Sequence, residues 1–442
     1  MRFIFVPSHY SKNVKENVIQ GKSREKNVDN AFQQVLRSIN KKREVPMKLK
    51  SLFCVSLCLS ILLLACSNVS AQAEKLRIGL LVALTGWFSA AGTAELDEAT
   101  VIADMINEKG GVTVGGKKYL IELVPEDMKS THEGVTAALN KLIYDKKIRY
   151  VAGPTAFWGP ASAPLCEANK ILNAIGYCAN TPGELDKTTK YRILAENGTM
   201  GHIYAMLKYI KKAHPNVKTV AIVNPDDGSI PYLKPLIKRA LEENGITQVG
   251  DIVTYPNELV DFSPIASKLA ARKADAIFNP NAIGTHVGSI LKGLRELGDN
   301  RWYFYCGVAT CSVLKGLAGA AAKNVVSMGI MQNAKGNPPQ LQEFLVRYFK
   351  KVGEERSLIF QNSECVYALA QVIQNAQSLD PDVIMKKFVQ MDKVETIYGT
   401  GRVCGEKTYG VKQAIAHPLP VQYIDEKGEI KFYGWITDVY VP

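Results

Sequence analysis

From Leu76 onward the chain alternates short apolar segments with amphipathic helical segments, and this pattern limits the possible fold more than any other feature of the sequence. The first pair is the strand segment LRIGLLVAL at 76–84 and a helical segment at 94–108 that ends at Gly110-Gly111. Strands separated by helices in this way indicate parallel strands joined by crossover helices. The sequence therefore predicts an α/β fold of doubly wound parallel sheets.

The alternation occurs in two consecutive units of similar size. The first continues with strands at 119–124, 149–153 and 172–177 and helices at 132–143 and 161–169. After 191–198, the second has helices at 200–213, 231–244, 262–272 and 283–296 and strands at 219–225, 250–256, 276–280 and 302–307. A strand at 325–331, helices at 339–352 and 362–377 and a hairpin at 420–435 follow and must pack on units already formed. We therefore expect the chain to cross between two lobes more than once.

An export signal lies unusually far from the first residue. From Met47, Met-Lys-Leu-Lys is followed by about 14 apolar residues at 52–65, which is the build of a secretory signal peptide. A membrane-spanning helix needs roughly 18 or more apolar residues. Residues 1–46 hold ten Lys/Arg against four Asp/Glu without apolar periodicity. We interpret them as an extension from a start codon assigned too far upstream; a disordered basic tail is the alternative.

Two cleavage sites compete at the end of this signal. The small-x-small triplet at 71–73 would release a soluble chain that begins at Glu74. The segment LLAC at 63–66 instead resembles a lipobox, in which Cys66 would become the lipid anchor. Leu64 is a less usual lipobox residue, which favours cleavage before Glu74.

Removal of this leader changes the charge balance. Residues 1–73 hold 12 of the 54 Lys/Arg and 4 of the 42 Asp/Glu, so the net charge falls from +12 to +4. No later segment has a run of five like charges, and the sequence gives no basis for nucleic-acid binding.

The remaining 369 or so residues exceed the size at which one core keeps growing, which predicts two domains.

An even number of cysteines other than Cys66 follows the leader. Three disulfides are possible in an exported protein among Cys166, Cys178, Cys306, Cys311, Cys365 and Cys404. The sequence does not determine the pairing. Cys166 with Cys178 and Cys306 with Cys311 are the pairs to test, and buried free thiols are the alternative.

The sequence motifs of common enzyme classes are missing. G-x-S-x-G, H-E-x-x-H and C-x-x-C do not occur, and the five histidines after the leader are not at metal-ligand spacing. The nearest match to a phosphate-binding loop, at 111–118, is one residue short and joins a helix to a strand instead of the reverse. We expect no catalytic residues, no metal site and no cofactor.

Residues 78–111, IGLLVALTGWFSAAGTAELDEATVIADMINEKGG, resemble the opening of the type I periplasmic solute-binding proteins of the leucine/isoleucine/valine-binding family. The likeness continues at 115–130, 152–171, 261–278 and 368–381. It implies two doubly wound parallel-sheet lobes joined by three crossovers, which close by a hinge around a ligand. The chain is then divided into an extension (1–46), a signal peptide (47–73), lobe 1 (74–196), lobe 2 (197–331), a return to lobe 1 (332–415) and a return to lobe 2 (416–442).

The resemblance also implies where a ligand binds. Small ligands of open α/β sheets lie at the carboxyl ends of strands, and the family uses two such loops of lobe 1 to hold a ligand carboxylate. Helix N-termini suit this role because their first amides lack partners. By motif position the carboxylate candidates are Thr155, Ala156, Cys178 and Asn180, each of which is also a common turn residue.

Four aromatic rings fall on two of these loops: Trp87, Phe88, Phe157 and Trp158. If they face the ligand, they favour an aromatic or apolar carboxylate; the alternative is ordinary packing between lobes. From the second lobe, Gly228, Asn281 and Ala309 are the candidates for ligand contact.

The second lobe departs from the amino-acid-binding pattern of the family. Val308 stands where amino-acid binders place an acidic residue, and the family's tyrosine is missing after Asp226-Asp227. A buried ammonium without a partner costs several kcal/mol, which is much of the roughly 8 kcal/mol behind micromolar binding. An α-amino group therefore fits poorly unless Asp226, Asp227 or Glu184 substitutes.

The function that the resemblance implies is that of a monomeric periplasmic substrate-binding protein of an ABC importer. Its ligand would be a small carboxylate-bearing solute, either branched-chain amino acid-like or an aromatic or apolar organic acid, and its partner a membrane permease. The alternative is a ligand sensor of the same fold that acts on a signalling partner. An enzyme is the third hypothesis, and no motif supports it.

Overall fold

The computed structural model describes residues 73–155, 158–176, 184–226, 228–307, 309–353 and 362–439. Its first strands are β1 (Glu74–Val82), β2 (Val112–Val114), β3 (Lys117–Asp127), β4 (Tyr150–Thr155), β5 (Leu172–Gly176) and β6 (Arg192–Leu194). The next are β7 (Thr219–Pro225), β8 (Thr247–Gln248), β9 (Val253–Tyr255), β10 (Ala276–Asn279), β11 (Trp302–Tyr305) and β12 (Val325–Ser327). The last are β13 (Lys393–Thr396), β14 (Gly399–Cys404), β15 (Ala414–Ala416), β16 (Leu419–Ile424) and β17 (Ile430–Ile436).

Helices connect most of these strands. The α-helices of the first half are α1 (Ser89–Glu108), α2 (His132–Asn140), α3 (Gly159–Ala168), α4 (Gly198–Ala213), α5 (Ile230–Glu243) and α6 (Ser263–Ala270). Those of the second half are α7 (Gly284–Glu296), α8 (Cys311–Ala318), α9 (Pro339–Val352), α10 (Asn362–Ala376), α11 (Pro381–Phe388) and α12 (Glu406–Tyr409). In the described residues no helix combines the length and the apolar character needed to span a bilayer.

The strands form two sheets. Within the described residues the first has nine strands in the order β13-β14-β15-β6-β5-β4-β1-β3-β2. The second has eight, in the order β17-β16-β12-β11-β10-β7-β8, with β9 paired to the carboxyl half of β7. The centres of both sheets are parallel, and antiparallel pairs are added only toward their edges. This confirms the predicted α/β fold, and we call each sheet with its helices a lobe.

The alternation of side chains along β1 explains why the first lobe needs helices on both faces. Leu76, Ile78 and Leu80 of β1 lie in one buried cluster with residues of α1, α9 and α10. Leu81 points the opposite way, into a second cluster with residues of α2 and α3. A strand that is apolar on both faces has to be covered on both sides, which is the arrangement of parallel sheets.

The chain passes between the lobes three times. It leaves the first sheet after β6 and enters α4, returns after β12 to α9, and leaves again between β15 and β16. The three passages agree with the crossovers that the family resemblance implied. The hairpin expected at 420–435 is confirmed by β16 and β17.

The sequence did not reveal the hairpin of β13 and β14. Its two-residue turn is Ile397-Tyr398, which carries none of the Asn-Gly or Asp-Gly signals of short hairpins. Several predicted boundaries also moved: α1 begins at Ser89 rather than 94, and the strand predicted at 325–331 stops at Ser327.

The suggested disulfide between Cys306 and Cys311 is wrong. Both thiols are free and buried, and they belong to different apolar clusters of the second lobe, Cys306 to one and Cys311 to the other. Burial raises the pKa of both thiols, so they stay protonated. Cys166, Cys365 and Cys404 are also free and buried, and Cys178 lies outside the described residues.

Helix α1 lies unusually close to the strand that precedes it. A Cβ on Gly92 would sit 2.1 Å from the carbonyl oxygen of Ala83, closer than any side chain tolerates. Glycine is therefore required there for contact between helix and sheet rather than for a turn.

We predict that Gly92→Ala lowers the free energy of unfolding by about 2 kcal/mol or more, because α1 has to move off β1. Gly316→Ala is the matched control, since Gly316 is also helical but has open space around it, and it should gain up to about 1 kcal/mol from helix propensity. Urea unfolding measures both. Equal stability of the two variants would show that the close approach of α1 is not required.

Candidate functional site

The candidate site lies along one edge of the first sheet. Because β1, β4, β5, β6 and β15 are parallel, the residues that follow them meet at a common carboxyl edge. Trp87 and Phe88 follow β1, and Thr155 ends β4. Ala156, Phe157, Cys178 and Asn180 lie outside the described residues, so their roles stay predictions.

Three of the predicted aromatic residues form one cluster. The ring centroids are 5.3 Å apart for Trp87 and Phe88, 5.4 Å for Phe88 and Trp158, and 5.8 Å for Trp87 and Trp158. Phe88 and Trp158 are buried in the core of the first lobe, whereas Trp87 is only half-buried at its rim. Ile283, which precedes α7 of the second lobe, packs against the larger apolar core that contains Phe88 and Trp158. The two lobes therefore touch at this core, against which Trp87 also packs.

Thr155 is buried and already holds a hydrogen bond within the first lobe. Its hydroxyl lies 3.2 Å from Oε1 of Glu95, which is a fully buried residue of α1. One turn further on, Glu98 is equally buried and accepts from the hydroxyl of Ser363 at 2.8 Å. Two buried carboxyl groups, those of Glu95 and Glu98, therefore lie near this edge of the sheet. The sequence pattern did not single them out.

The second-lobe candidates differ in exposure. Gly228 is exposed with a φ of +81°, and nothing lies within 4 Å of where its Cβ would be. Asn281 is half-buried just after β10. Ala309 is buried in the apolar core of the second lobe, and its carbonyl accepts from the hydroxyl of Ser327. Asn281 is the one polar side chain among these three candidates, and it lies close to Ile283 in the sequence.

The acidic residues considered as ammonium partners also differ in exposure. Asp226 is exposed, and its amide donates to the Tyr255 carbonyl at 2.7 Å. Glu184 is fully buried beside the first residue of α3, where its Cγ lies 3.3 Å from the position of a Cβ on Gly159. Asp227 and Val308 lie outside the described residues.

Arg192 connects the loops of this edge, and sequence reasoning missed it. Its buried guanidinium donates to Oδ1 of Asn173, to the hydroxyl of Ser162 and to the carbonyls of Gly159 and Glu184 at 2.5 to 3.0 Å. It thereby joins β6 to β5, to the N-terminus of α3 and to the chain at 184. A charged residue in the short apolar strand RIL was the only signal in the sequence.

The crossings on either side of this edge form the hinge. Asn197 donates from Nδ2 to the His417 carbonyl at 2.9 Å and accepts from the His417 amide at 3.0 Å, which ties the first crossing to the third. Glu196 accepts from Nε2 of His202 at 3.1 Å, and Nδ1 of His202 lies 2.8 Å from the Cys306 carbonyl. The hinge is therefore built from buried polar contacts between side chains of several segments.

Burial and neighbouring charges set the protonation of these hinge groups. Burial favours a higher pKa for Glu196, but the contact with His202 outweighs it and lowers the pKa overall. Burial lowers the pKa of His417 to about 4, so its imidazole is neutral at physiological pH. Among the described residues, no group of three or more His, Cys, Asp or Glu side chains could hold a metal ion.

Two α/β lobes, a three-strand hinge and polar loops at the edge between them define a solute-binding protein of the bilobal type. The model of the periplasmic binding protein family matches residues 75–429. The chain therefore belongs to the periplasmic binding protein family, whose fold is that of non-enzymatic solute-binding proteins. This confirms both the predicted family and the prediction that the protein is not an enzyme.

Solved structures of transport proteins share this fold. The substrate-binding protein LivJ of a branched-chain amino acid transporter from Streptococcus pneumoniae, in complex with isoleucine, is 19% identical with a TM-score of 0.66, over 84% of this chain and 100% of that one. A solute-binding protein from R. palustris in complex with benzoate is 12% identical with a TM-score of 0.66, over 84% and 98%. Another, from Rhodopseudomonas palustris BisB5 with 3,4-dihydroxybenzoic acid, is 19% identical with a TM-score of 0.65, over 83% and 99%.

We predict that Arg192→Lys lowers the free energy of unfolding by about 3 kcal/mol, because a lysine cannot reach all the acceptors that the guanidinium holds in a buried site. Arg347→Lys is the matched control: Arg347 pairs with Glu108 and Glu343 at the surface, where such pairs contribute about 0 to 1 kcal/mol. Thermal unfolding separates the two. If Arg192→Lys is as stable as the control, Arg192 does not hold the edge together.

Proposed function

We propose that this protein is the extracytoplasmic substrate-binding component of an ABC importer. It captures a small carboxylate-bearing solute between its lobes and delivers it to a membrane permease. The observation that carries this proposal is that Ile283 of the second lobe and Trp87 of the first pack against the same apolar core, at the carboxyl edge where open α/β sheets bind ligands. The family and the transport proteins of the same fold support it.

The carboxylate is expected at the N-terminus of α3. The first amides of a helix lack intrahelical partners and attract anions, and α3 begins directly after the loop of Thr155. The guanidinium of Arg192 lies directly behind this end, 3.0 Å from the Gly159 carbonyl, and adds positive charge. Helix end and guanidinium together favour an anionic group on the solute.

The apolar part of the solute is expected against Trp87. This ring is the half-buried member of an aromatic cluster whose other two members are fixed by burial, so it presents a rigid flat surface at the rim. Flat rings bind both aromatic and branched aliphatic groups. The solved structures of the same fold contain either isoleucine or an aromatic acid, and each of these ligands has a carboxylate and an apolar part.

Hinge closure would follow from this geometry. A ligand shifts the lobes toward the closed state only as far as it binds that state better than the open one. A solute held by the first lobe gains contacts near Ile283 and Asn281 only when the second lobe approaches. The protein is expected to act as a monomer in the periplasm, exported by the signal at 47–73.

We predict that Trp87→Ala weakens solute binding at least tenfold with little loss of stability, because the ring lies at the rim rather than in the core. Trp302→Ala is the matched control: Trp302 stacks on Phe304 at the opposite, amino end of its strand, so its loss should lower stability and leave affinity unchanged.

The measurement is thermal stabilisation by a panel of amino acids, benzoate-type acids and aliphatic acids. Free ligand at 100 times its Kd stabilises by about 2.7 kcal/mol. Normal binding by Trp87→Ala would contradict the assignment of this edge, and a panel without any ligand would contradict the proposed function.

A further inference from the structure

Two side chains near the end of β3, Asp127 and Ser130, hold the loop that carries Trp87, and we call them the loop clamp. The loop lies between β1 and α1, at 83–88. Asp127 is the last residue of β3, the strand that pairs with β1, and Ser130 follows it in the connection to α2. The clamp therefore stands beside the loop, although it lies 42 to 45 positions later in the sequence than the groups it holds.

Asp127 holds the start of the loop through both of its carboxyl oxygens. Oδ1 accepts from the amides of Leu84 at 2.9 Å and Lys129 at 2.8 Å, and Oδ2 accepts from the hydroxyl of Thr85 at 2.7 Å. Burial favours a higher pKa for Asp127, but the hydrogen bonds from Thr85 and from the backbone amides outweigh it and lower the pKa overall. The acceptor is therefore an ionised carboxylate, whose hydrogen bonds are stronger than those of a neutral group.

Ser130 closes the turn that presents Trp87. Its hydroxyl donates to the Thr85 carbonyl at 2.7 Å and accepts from the Phe88 amide at 3.2 Å. These two backbone groups stand immediately before Gly86 and immediately after Trp87, so a single oxygen atom bridges both ends of the turn. Ser130 is 6% exposed, and water therefore competes little for this bridge. The backbone on either side of Trp87 is thus fixed within the first lobe.

The loop and the clamp fit closely against each other. A Cβ on Gly86 would sit 2.7 Å from Oγ of Ser130, and Gly86 has a φ of +86°. Lys129 and Ser130 have φ values of 53° and 55°, in the left-handed region that side-chain-bearing residues rarely adopt. In the described ranges the other non-glycine residues with positive φ occur singly. Two successive strained residues are kept only where their surroundings fix them, and such strain is typical of functional sites.

The ring of Trp87 is limited by the same construction. It packs edge-on against Phe88, with an angle of 79° between the planes, and is tilted by 42° against Trp158. Both of these rings are buried, whereas Trp87 is half-buried. Because the clamp holds its backbone and two buried rings hold its side chain, Trp87 keeps one orientation at the rim. Aromatic contacts depend on the relative orientation of the groups, so a rotated Trp87 would present a different surface to a solute.

We propose that the loop clamp orients the Trp87 ring before the solute binds. Asp127 and Ser130 then determine affinity as positioning residues, which act through Trp87 and do not touch the solute. A binding surface that is already ordered loses less conformational entropy when its ligand arrives, and affinity rises accordingly. This inference rests on the proposed function, because it requires the solute to lie against Trp87.

Ser130→Gly tests the clamp at little cost to the fold. Glycine adopts a φ of 55° without strain, so this variant removes the hydroxyl bridge and relieves the backbone at the same time. Lys147→Gly is the matched control, because Lys147 has a φ of 54° but lies just before β4, at the opposite, amino end of the sheet.

Isothermal titration calorimetry of the full chain measures the affinity, with leucine and benzoate as the two probes. For the probe that the unaltered chain binds more tightly, we expect Ser130→Gly to lose about fivefold in affinity, the effect of roughly one hydrogen bond. Lys147→Gly should lose none. Equal affinity of the two variants would overturn the clamp and leave the proposed function intact. Failure of the unaltered chain to bind either probe would overturn both.

A double-mutant cycle with Trp87→Ala separates positioning from a general loss of structure. If Ser130 acts through Trp87, Ser130→Gly has no further effect on affinity once the ring is removed. The same loss of affinity with and without the ring would show that Ser130 acts independently of Trp87, and would overturn the inference. If Trp87→Ala binds too weakly for the cycle, the comparison of Ser130→Gly with Lys147→Gly decides.

Asp127→Ala takes the place of Ser130→Gly if that variant does not fold. Its matched control is Asp275→Ala, since Oδ2 of Asp275 accepts from the amides of Lys218 and Thr219, each at 2.8 Å, at the amino end of β7. Both variants remove a carboxylate that holds backbone amides, but only Asp127 holds the Trp87 loop. We expect affinity to fall in Asp127→Ala alone, and unchanged affinity in both variants would overturn the inference.

Discussion

The parallel direction of the central strands is the constraint on which the rest of this structure depends. Parallel strands cannot be joined by tight turns, so the connections between them cross a face of the sheet, mostly as helices, and each parallel strand delivers its last residue to the same edge. In the first lobe that edge collects the Trp87 loop, Thr155, the start of α3 and two of the three hinge crossings. The candidate loops and the hinge are thus neighbours because the sheet is parallel.

Buried polar groups hold this edge in place. Arg192 fixes the N-terminus of α3 to β5 and β6, and Asn197 with His417 fixes two crossings to each other. Polar groups are costly to bury unless they form hydrogen bonds, so the geometry in which these hydrogen bonds form is well defined. The edge that carries the candidate loops is therefore held in a single geometry by these contacts.

The sequence predicted the fold well because the signal was long and repeated. The apolar strands and amphipathic helices from Leu76 onward, with helix 339–352 matched by Pro339–Val352, required only periodicity. The site was harder to predict from the sequence. Trp87 and Thr155 could be located by motif position, but Arg192 and Glu95 each look like isolated polar residues in their own segments. Only the folded chain brings Glu95 within 3.2 Å of Thr155, which lies 60 positions later in the sequence.

The central claim is that a solute binds between the lobes at this edge, and hydrogen–deuterium exchange with and without the best ligand of the panel tests it most directly. The account predicts that the ligand protects backbone amides in both lobes together: those around Trp87 and the start of α3 in the first, and those from Asn281 to the start of α7 in the second. Protection confined to one lobe, or located away from both edges, would contradict it.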